Sequence, residues 1–237
     1  MWTIVTYQPV GLVSLKLSTA TSTGGKSLLL PTPFAFKMAL LDVILRDKGM
    51  EEGQAFWPAV RDAKIAIAGP KHIMVVNTFT RILRPNREWD TPDPDTGLVH
   101  PMLRTIGFRE YVQWQGTLQI AFNPGSQSNG DWSRWLSMIT YIGKRGGFIQ
   151  AVNIAQSSEL PEGFTLLEPI QSAFPVDGTL QLMDDCAHHL TFEHVNVYSK
   201  KAIKTGKDRL LHHVVVPYRL VRASRGFTLY QRLDVGG

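Results

Sequence analysis

Residues 24–49, GGKSLLLPTPFAFKMALLDVILRDKG, admit two readings that lead to different folds. In the first, GGKS is the end of a nucleotide-binding loop. That loop needs a glycine five positions before Gly25, and its lysine must stand where the loop turns directly into a helix, so that backbone amides and the helix terminus meet the phosphates together. Here Ala20 occupies the glycine position, and Leu28-Leu29-Leu30-Pro31-Thr32 separates the lysine from any helix. Pro31 and Pro33 also bias the residues before them away from helical geometry. The second reading places the helix start at Thr32-Pro33, with Thr32 as N-cap and Pro33 at the first helical position. Ala35, Met38, Leu41 and Leu45 then carry a broad apolar surface to a stop near Gly49, as expected of a helix buried against a sheet.

Working outward, strand signals flank this helix. Ile4 and Val5 lie in a β-rich run, and Val13, Leu15 and Leu17 alternate after a bend at Gly11. A polar, glycine-containing loop covers residues 19–27. Beyond the helix come KIAIAG (64–69), HIMVVNTFTRIL (72–83) and YVQWQGTLQIAF (111–122), the last with Val112, Trp114, Gly116, Leu118 and Ile120 on one face. The charged, Pro- and Gly-rich residues 84–110 are expected as a long excursion from the sheet. DWSRWLSMITYI (131–142) predicts a second helix, capped by Asp131, striped by Trp132, Trp135, Leu136, Ile139 and Ile142, and stopped at Gly143. FIQAVNI (148–154) is again a strand. This order predicts an α+β, ferredoxin-like domain of the RNA-recognition type, helices on one face of an antiparallel sheet and the other face available. The expected division is a domain over residues 1–160, with a β-rich insertion at about residues 60–125, and a small β-rich C-terminal region over 161–237.

The 237 residues are 43% hydrophobic, enough for a substantial core. A balance of 25 basic to 20 acidic side chains is a modest bias toward polyanionic partners, so the location of the charge matters more than its sum. With one cysteine, Cys186, neither an internal disulfide nor a multi-cysteine zinc site can form. The N-terminal segment lacks the features of a signal peptide and no stretch has the length of a membrane span, so a soluble cytoplasmic protein without membrane contact is expected. DDCAHHLTFEH (184–194) holds metal-capable atoms at no zinc-site spacing, and neither a G-x-S-x-G elbow nor H-E-x-x-H occurs. No metal and no cofactor are expected.

Charge concentrates in two places. In YIGKRGGF (141–148) a helix ends, Lys144 and Arg145 follow, and two glycines remove side-chain bulk. A phosphodiester could approach both cations and exposed amides there; ordinary helix termination with cations near the negative end of the dipole is the competing account. KKAIKTGKDRL (200–210) places Lys200, Lys201, Lys204 and Lys207 close together, as a solvated face or as a basic hairpin against nucleic acid. Phe79, Trp89 and Phe108 are candidate stacking aromatics for exposed bases. A metal-independent RNA-cleaving site would need a base, an acid and a cation, for which Lys71, His72 and a tyrosine, Tyr111 or Tyr141, have the right chemistry.

Together these segments carry a resemblance. The basic loop with LLLPTPFAFKMALLDVIL, then LRTIGFREYVQWQGTLQIAF (103–122), then WLSMITYIGKRGGFI (135–149), resemble in order and spacing the guide-RNA 5′-handle-binding subunits of type I CRISPR interference complexes, within the RAMP superfamily. The resemblance covers residues 1 to about 155. It implies a ferredoxin-like domain with a protruding β-rich insertion, acting as a noncatalytic subunit that caps the 5′ handle of the guide RNA. It also implies contact with the repeated backbone subunit and the large subunit, near the target DNA's adjacent motif. By the same resemblance Lys26, Ser27, Arg109, Lys144 and Arg145 face the handle, with Glu110 organising Arg109; Lys200, Lys201 and Lys204 join them as candidate RNA contacts on the strength of their charge run alone. One branch of that family cuts precursor guide RNA with tyrosine, lysine and histidine; here Lys71-His72 falls early in the expected insertion, a departure from that branch. A precursor-processing endoribonuclease and a protein-only scaffold are the alternatives.

Overall fold

The computed structural model describes residues 1–18, 24–126, 129–144, 146–169 and 177–233. In chain order the elements are β1 (Trp2–Pro9), β2 (Gly24–Gly25), α1 (Pro33–Lys48), α2 (Met50–Asp62), β3 (Lys64–Ala68), β4 (His72–Pro85), β5 (Met102–Gln115) and β6 (Leu118–Asn123). They continue as α3 (Trp132–Ser137), β7 (Ile149–Ser157), β8 (Thr165–Leu166), β9 (Thr179–Cys186), α4 (Phe192–Val195), β10 (Arg209–Val216), β11 (Tyr218–Ala223) and β12 (Phe227–Arg232). The chain is an α+β fold. One sheet has the order β7-β1-β6-β3-β8, antiparallel throughout, an order consistent with the expected ferredoxin-like arrangement.

Period-two alternation divides this sheet's residues between its faces. Val5, Tyr7, Ile65, Ile67, Leu118, Ile120 and Phe122 face the main core, with α1 and α3 packed against the sheet. Tyr7 is fully buried, and its hydroxyl donates to the Leu136 carbonyl at 2.7 Å. The opposite face is small and polar, with Thr6, Gln119, Ala121 and Asn153, and its Trp2 and Ile4 are packed over by Leu160 and Phe164. That face was expected to be available; it offers no exposed aromatic platform among the described residues of its strands.

Thr32 caps α1, its hydroxyl accepting from the Ala35 amide at 3.2 Å. Gly49, at φ 86°, closes α1 by donating its amide to the Leu45 carbonyl and begins α2, a helix the sequence reading lacks. Lys37 is 2% exposed and its ammonium donates to Asp185 Oδ1 (2.6 Å) and the Arg61 carbonyl (2.7 Å), joining α1, α2 and β9. Trp57 Nε1 donates to the Leu190 carbonyl at 2.8 Å across the same layer.

The second sheet has the order β11-β12-β4-β5-β2. Its spine is the β4–β5 hairpin, a ladder running from His72↔Gln115 to Pro85↔Met102. Ile73, Val75, Val112 and Trp114 bury its base, while beyond Phe79↔Phe108 the ribbon is largely exposed. Four expectations change. The excursion is shorter than 84–110, because residues 102–110 already belong to β5. Residues 111–122 are two strands, with a turn at Gly116, φ 123°, instead of one continuous face. The helix at 131–142 ends at Ser137, although Asp131 caps it as expected and Ile139 and Ile142 are still buried. Val13, Leu15 and Leu17 form no strand; Val13 makes an isolated bridge to Val112 and Lys16 one to Ser27.

Candidate nucleic-acid interface

The seam between the two sheets gathers three cations. Val13 exchanges amide bonds with Val112 at 2.9 and 2.7 Å, which draws the segment after β1 onto the second sheet and sets Lys16 beside it. Gly25 pairs in parallel with Arg109, and a Cβ built there would lie 2.7 Å from Arg109 Cδ, so the guanidinium arm rests on a position that only glycine vacates. Lys144 comes from the turn between α3 and β7. That turn is tight: Gly143 has φ 71°, Ile142 donates to the Gly147 carbonyl at 3.0 Å, and a Cβ on Gly147 would be 2.7 Å from the Ile142 carbonyl. Partial burial, then the charges of Arg109 and Lys16, push the Lys144 ammonium below the usual lysine range.

Beside these cations lies a cavity of about 360 Å³, a size typical of ligand sites. Leu15, Leu28, Phe34 and Met38 supply its apolar lining, and Lys16, Lys144, Tyr141 and Arg209 its polar one. Arg209 lies 4.3 Å over the Phe34 ring and is bonded to the buried Asp184 carboxylate. An apolar slot with ammonium groups beside it suits a planar, apolar-faced group that carries an anion, such as a nucleobase on a phosphate backbone.

The other candidate residues separate. Lys26 is exposed, 3.9 Å from Glu110, while Ser27 is spent on the loop itself: its hydroxyl accepts from the Leu15 amide and its own amide donates to Glu110 at 2.8 Å. The Glu110 carboxylate therefore orders the loop at 26–27. Arg145 and residues 19–23 of the expected polar loop lie outside the described residues. Lys200, Lys201 and Lys204 line a different cavity, together with His194 and Lys207. His72 pairs with Gln115 and Tyr111 with Val76, four ladder positions apart, roughly 13 Å at strand rise. Lys71, exposed, lines a cleft with Gln115 and Arg232, so Lys71, His72 and Tyr111 do not converge on one phosphate. Phe79 and Phe108 stand 5.3 Å apart on the ribbon, and Trp89 is exposed near its tip.

Among the described residues no three His, Cys, Asp or Glu side chains come together to hold a metal. His188 faces Asp62, while His189 meets Asp208 on the side where His194, in a capping box with Thr191, also lies. Burial pushes the Cys186 thiol up to about 12, which keeps it protonated at neutral pH. No described helix is long and apolar enough to cross a membrane.

Lys16 and Phe34 escaped the sequence reading, while Met38 was read only as helix core and Arg209 only as one of a basic run. Lys16 sits between Leu15 and Leu17 in an alternating run, and such parity normally marks a solvent-facing strand residue.

No protein-family model matches the chain. It is 23% identical over 206 residues to the CRISPR-associated protein Cas5 of Archaeoglobus fulgidus, a match covering 85% of this chain and 86% of that protein. Among solved structures it is similar to a CRISPR protein from Archaeoglobus fulgidus, at 14% identity, TM-score 0.42 and coverage of 100% and 92% of the two chains. A chain of a CRISPR RNA-guided surveillance complex matches at 9% identity and TM-score 0.41, over 98% and 91%.

Proposed function

We propose that this chain is a noncatalytic subunit of a type I CRISPR interference complex that binds and caps the 5′ handle of the guide RNA, holding it against the repeated backbone subunit and the large subunit near the target DNA's adjacent motif. The observation that carries this reading is the convergence of Lys16, Arg109 and Lys144, from three separate segments, beside a cavity of nucleotide size. Sequence similarity to a CRISPR-associated protein along most of both chains supports the setting. Phosphates would be held by the cations while an unstacked base enters the apolar slot beside Met38 and the Arg209–Phe34 stack. The separation of His72 from Tyr111 favours capture over cleavage.

The test is binding of labelled precursor RNA, with a native or scrambled handle, in EDTA across a salt series, reading fragment length in the same samples. Handle-selective binding without cleavage is expected, and Lys144→Ala should weaken it about tenfold, the scale of one charge-assisted hydrogen bond. A single cleavage product would replace the reading with a processing enzyme. The lowered Lys144 pKa adds a pH signature. Its ammonium loses its proton sooner than an ordinary lysine as pH rises, so affinity falls on the alkaline side, and Lys144→Arg abolishes that fall because guanidinium stays charged.

A further inference from the structure

A second cavity, of about 370 Å³, is lined by Lys200, Lys201, Lys204 and Lys207 with His194. All four lysines are exposed, and among the described residues none has an ion-pair partner. The nearest carboxylate on their own segment, Asp208, is 5% exposed and already committed: it accepts from the Lys204 amide at 2.8 Å and meets His189 at 3.1 Å. Asp208 thus braces the turn and is the one carboxylate lining the cavity, set against four ammonium groups. Four like charges around one hollow repel one another until an anion joins them.

We propose that residues 194–207 form a second subsite for single-stranded nucleic acid, in which the four lysines take backbone phosphates and Tyr198 stacks on a base. Two observations favour nucleic acid over an acidic protein surface. Tyr198 is 88% exposed on the turn leading into the lysines, and its place is held: its amide donates to Asn196 Oδ1 at 3.0 Å and the Ser199 amide to the Asn196 carbonyl. An exposed ring on a fixed backbone next to a run of cations is the combination by which sequence-tolerant single-strand sites work. The second observation is continuity. Lys207 and Asp208 line this cavity, and the next residue, Arg209, lines the cavity beside Lys16 and Lys144 over Phe34. The two cavities thus adjoin at residues 208–209. The subsite rests on the RNA-binding reading and lengthens its footprint.

The test uses the full chain and two RNAs, a handle of about eight nucleotides and the same handle extended by about eight uridines at either end, lengths within the range of single-strand site sizes. Extension at one end should tighten wild-type binding about tenfold. Lys201→Ala/Lys204→Ala should remove most of that gain, leave the short RNA unaffected, and lower the salt slope by about 1.4, two phosphates at about 0.7 each. Tyr198→Ala should remove part of the gain with the slope intact, and Tyr198→Phe should retain it. These residues are exposed, so unchanged thermal melting verifies the fold of each variant. A gain that survives the double lysine variant overturns the subsite. So does loss of the gain with Tyr198→Ala neutral and polyglutamate competing as well as RNA, which assigns the patch to an acidic protein. If the short RNA binds and Lys144→Ala weakens it while extension adds nothing, only the second subsite fails; a wild-type chain that binds neither RNA defeats both readings.

Discussion

Beside the small β9–β10 pair, the two five-stranded sheets of this molecule share the β-strand and little else. In the sheet built on β1 and β6, one face is closed into the main core beside α1 and α3, and the Tyr7 hydroxyl is spent there on the Leu136 carbonyl. The sheet built on β4 and β5 is buried only at its base. Along the distal ribbon Phe79, Leu83, Met102 and Ile106 stay exposed, with Arg81 and Arg104 on the same face. The first sheet encloses a core; the second extends a surface away from it. The cations of the candidate interface stand where the two meet, because there Val13, just after β1, bridges to Val112 while β2 pairs along β5 at Arg109.

The sharpest way to break this contrast is to damage the enclosed side. Trp57 is 2% exposed and hydrogen-bonded, so Trp57→Ala should cost about 4 kcal/mol, combining lost burial with a residual cavity, as read from urea midpoints. A loss below about 1 kcal/mol would mean that the α1–α2 layer is peripheral. Thr32→Ala tests the helix start at a smaller scale: loss of the cap to Ala35 should cost about 1 kcal/mol.

Legibility in the sequence divides along the same line. The Thr32-Pro33 start and the Asp131 cap were readable because a cap is a local device, spelled by residues that touch within one turn. Helix α2 was not, because Gly49 reads as a stop while its left-handed backbone both ends one helix and opens the next, and Gly53 and Pro58 lower the apparent helix propensity of residues 50–62. The turn at Gly116 was hidden because apolar alternation runs across it unbroken. Arg109 and Lys144 stood out as candidate cations, but that they meet each other and Lys16 depends on a strand bridge between residues 13 and 112. No local pattern encodes a contact of that separation.

The smallest effect belongs to the ribbon. Phe79 is 65% exposed and its ring meets Phe108 at 5.3 Å, a tilted pair at the last register where β2 still flanks the hairpin, beyond which the ribbon is two-stranded. Phe79→Ala should therefore change the stability of the isolated chain by no more than about 0.5 kcal/mol, the usual span for surface sites. An exposed aromatic kept on an otherwise self-sufficient hairpin has its value in what it touches, so the same substitution should reduce co-purification of guide RNA with partner subunits when the complex is assembled around this chain. A stability loss well above 1 kcal/mol without partners would break the comparison, since it would show that the ribbon packs as a second core. Unchanged stability together with unchanged assembly would leave the first sheet and the seam as the whole of the working molecule, with the ribbon reduced to a spacer between β3 and β6.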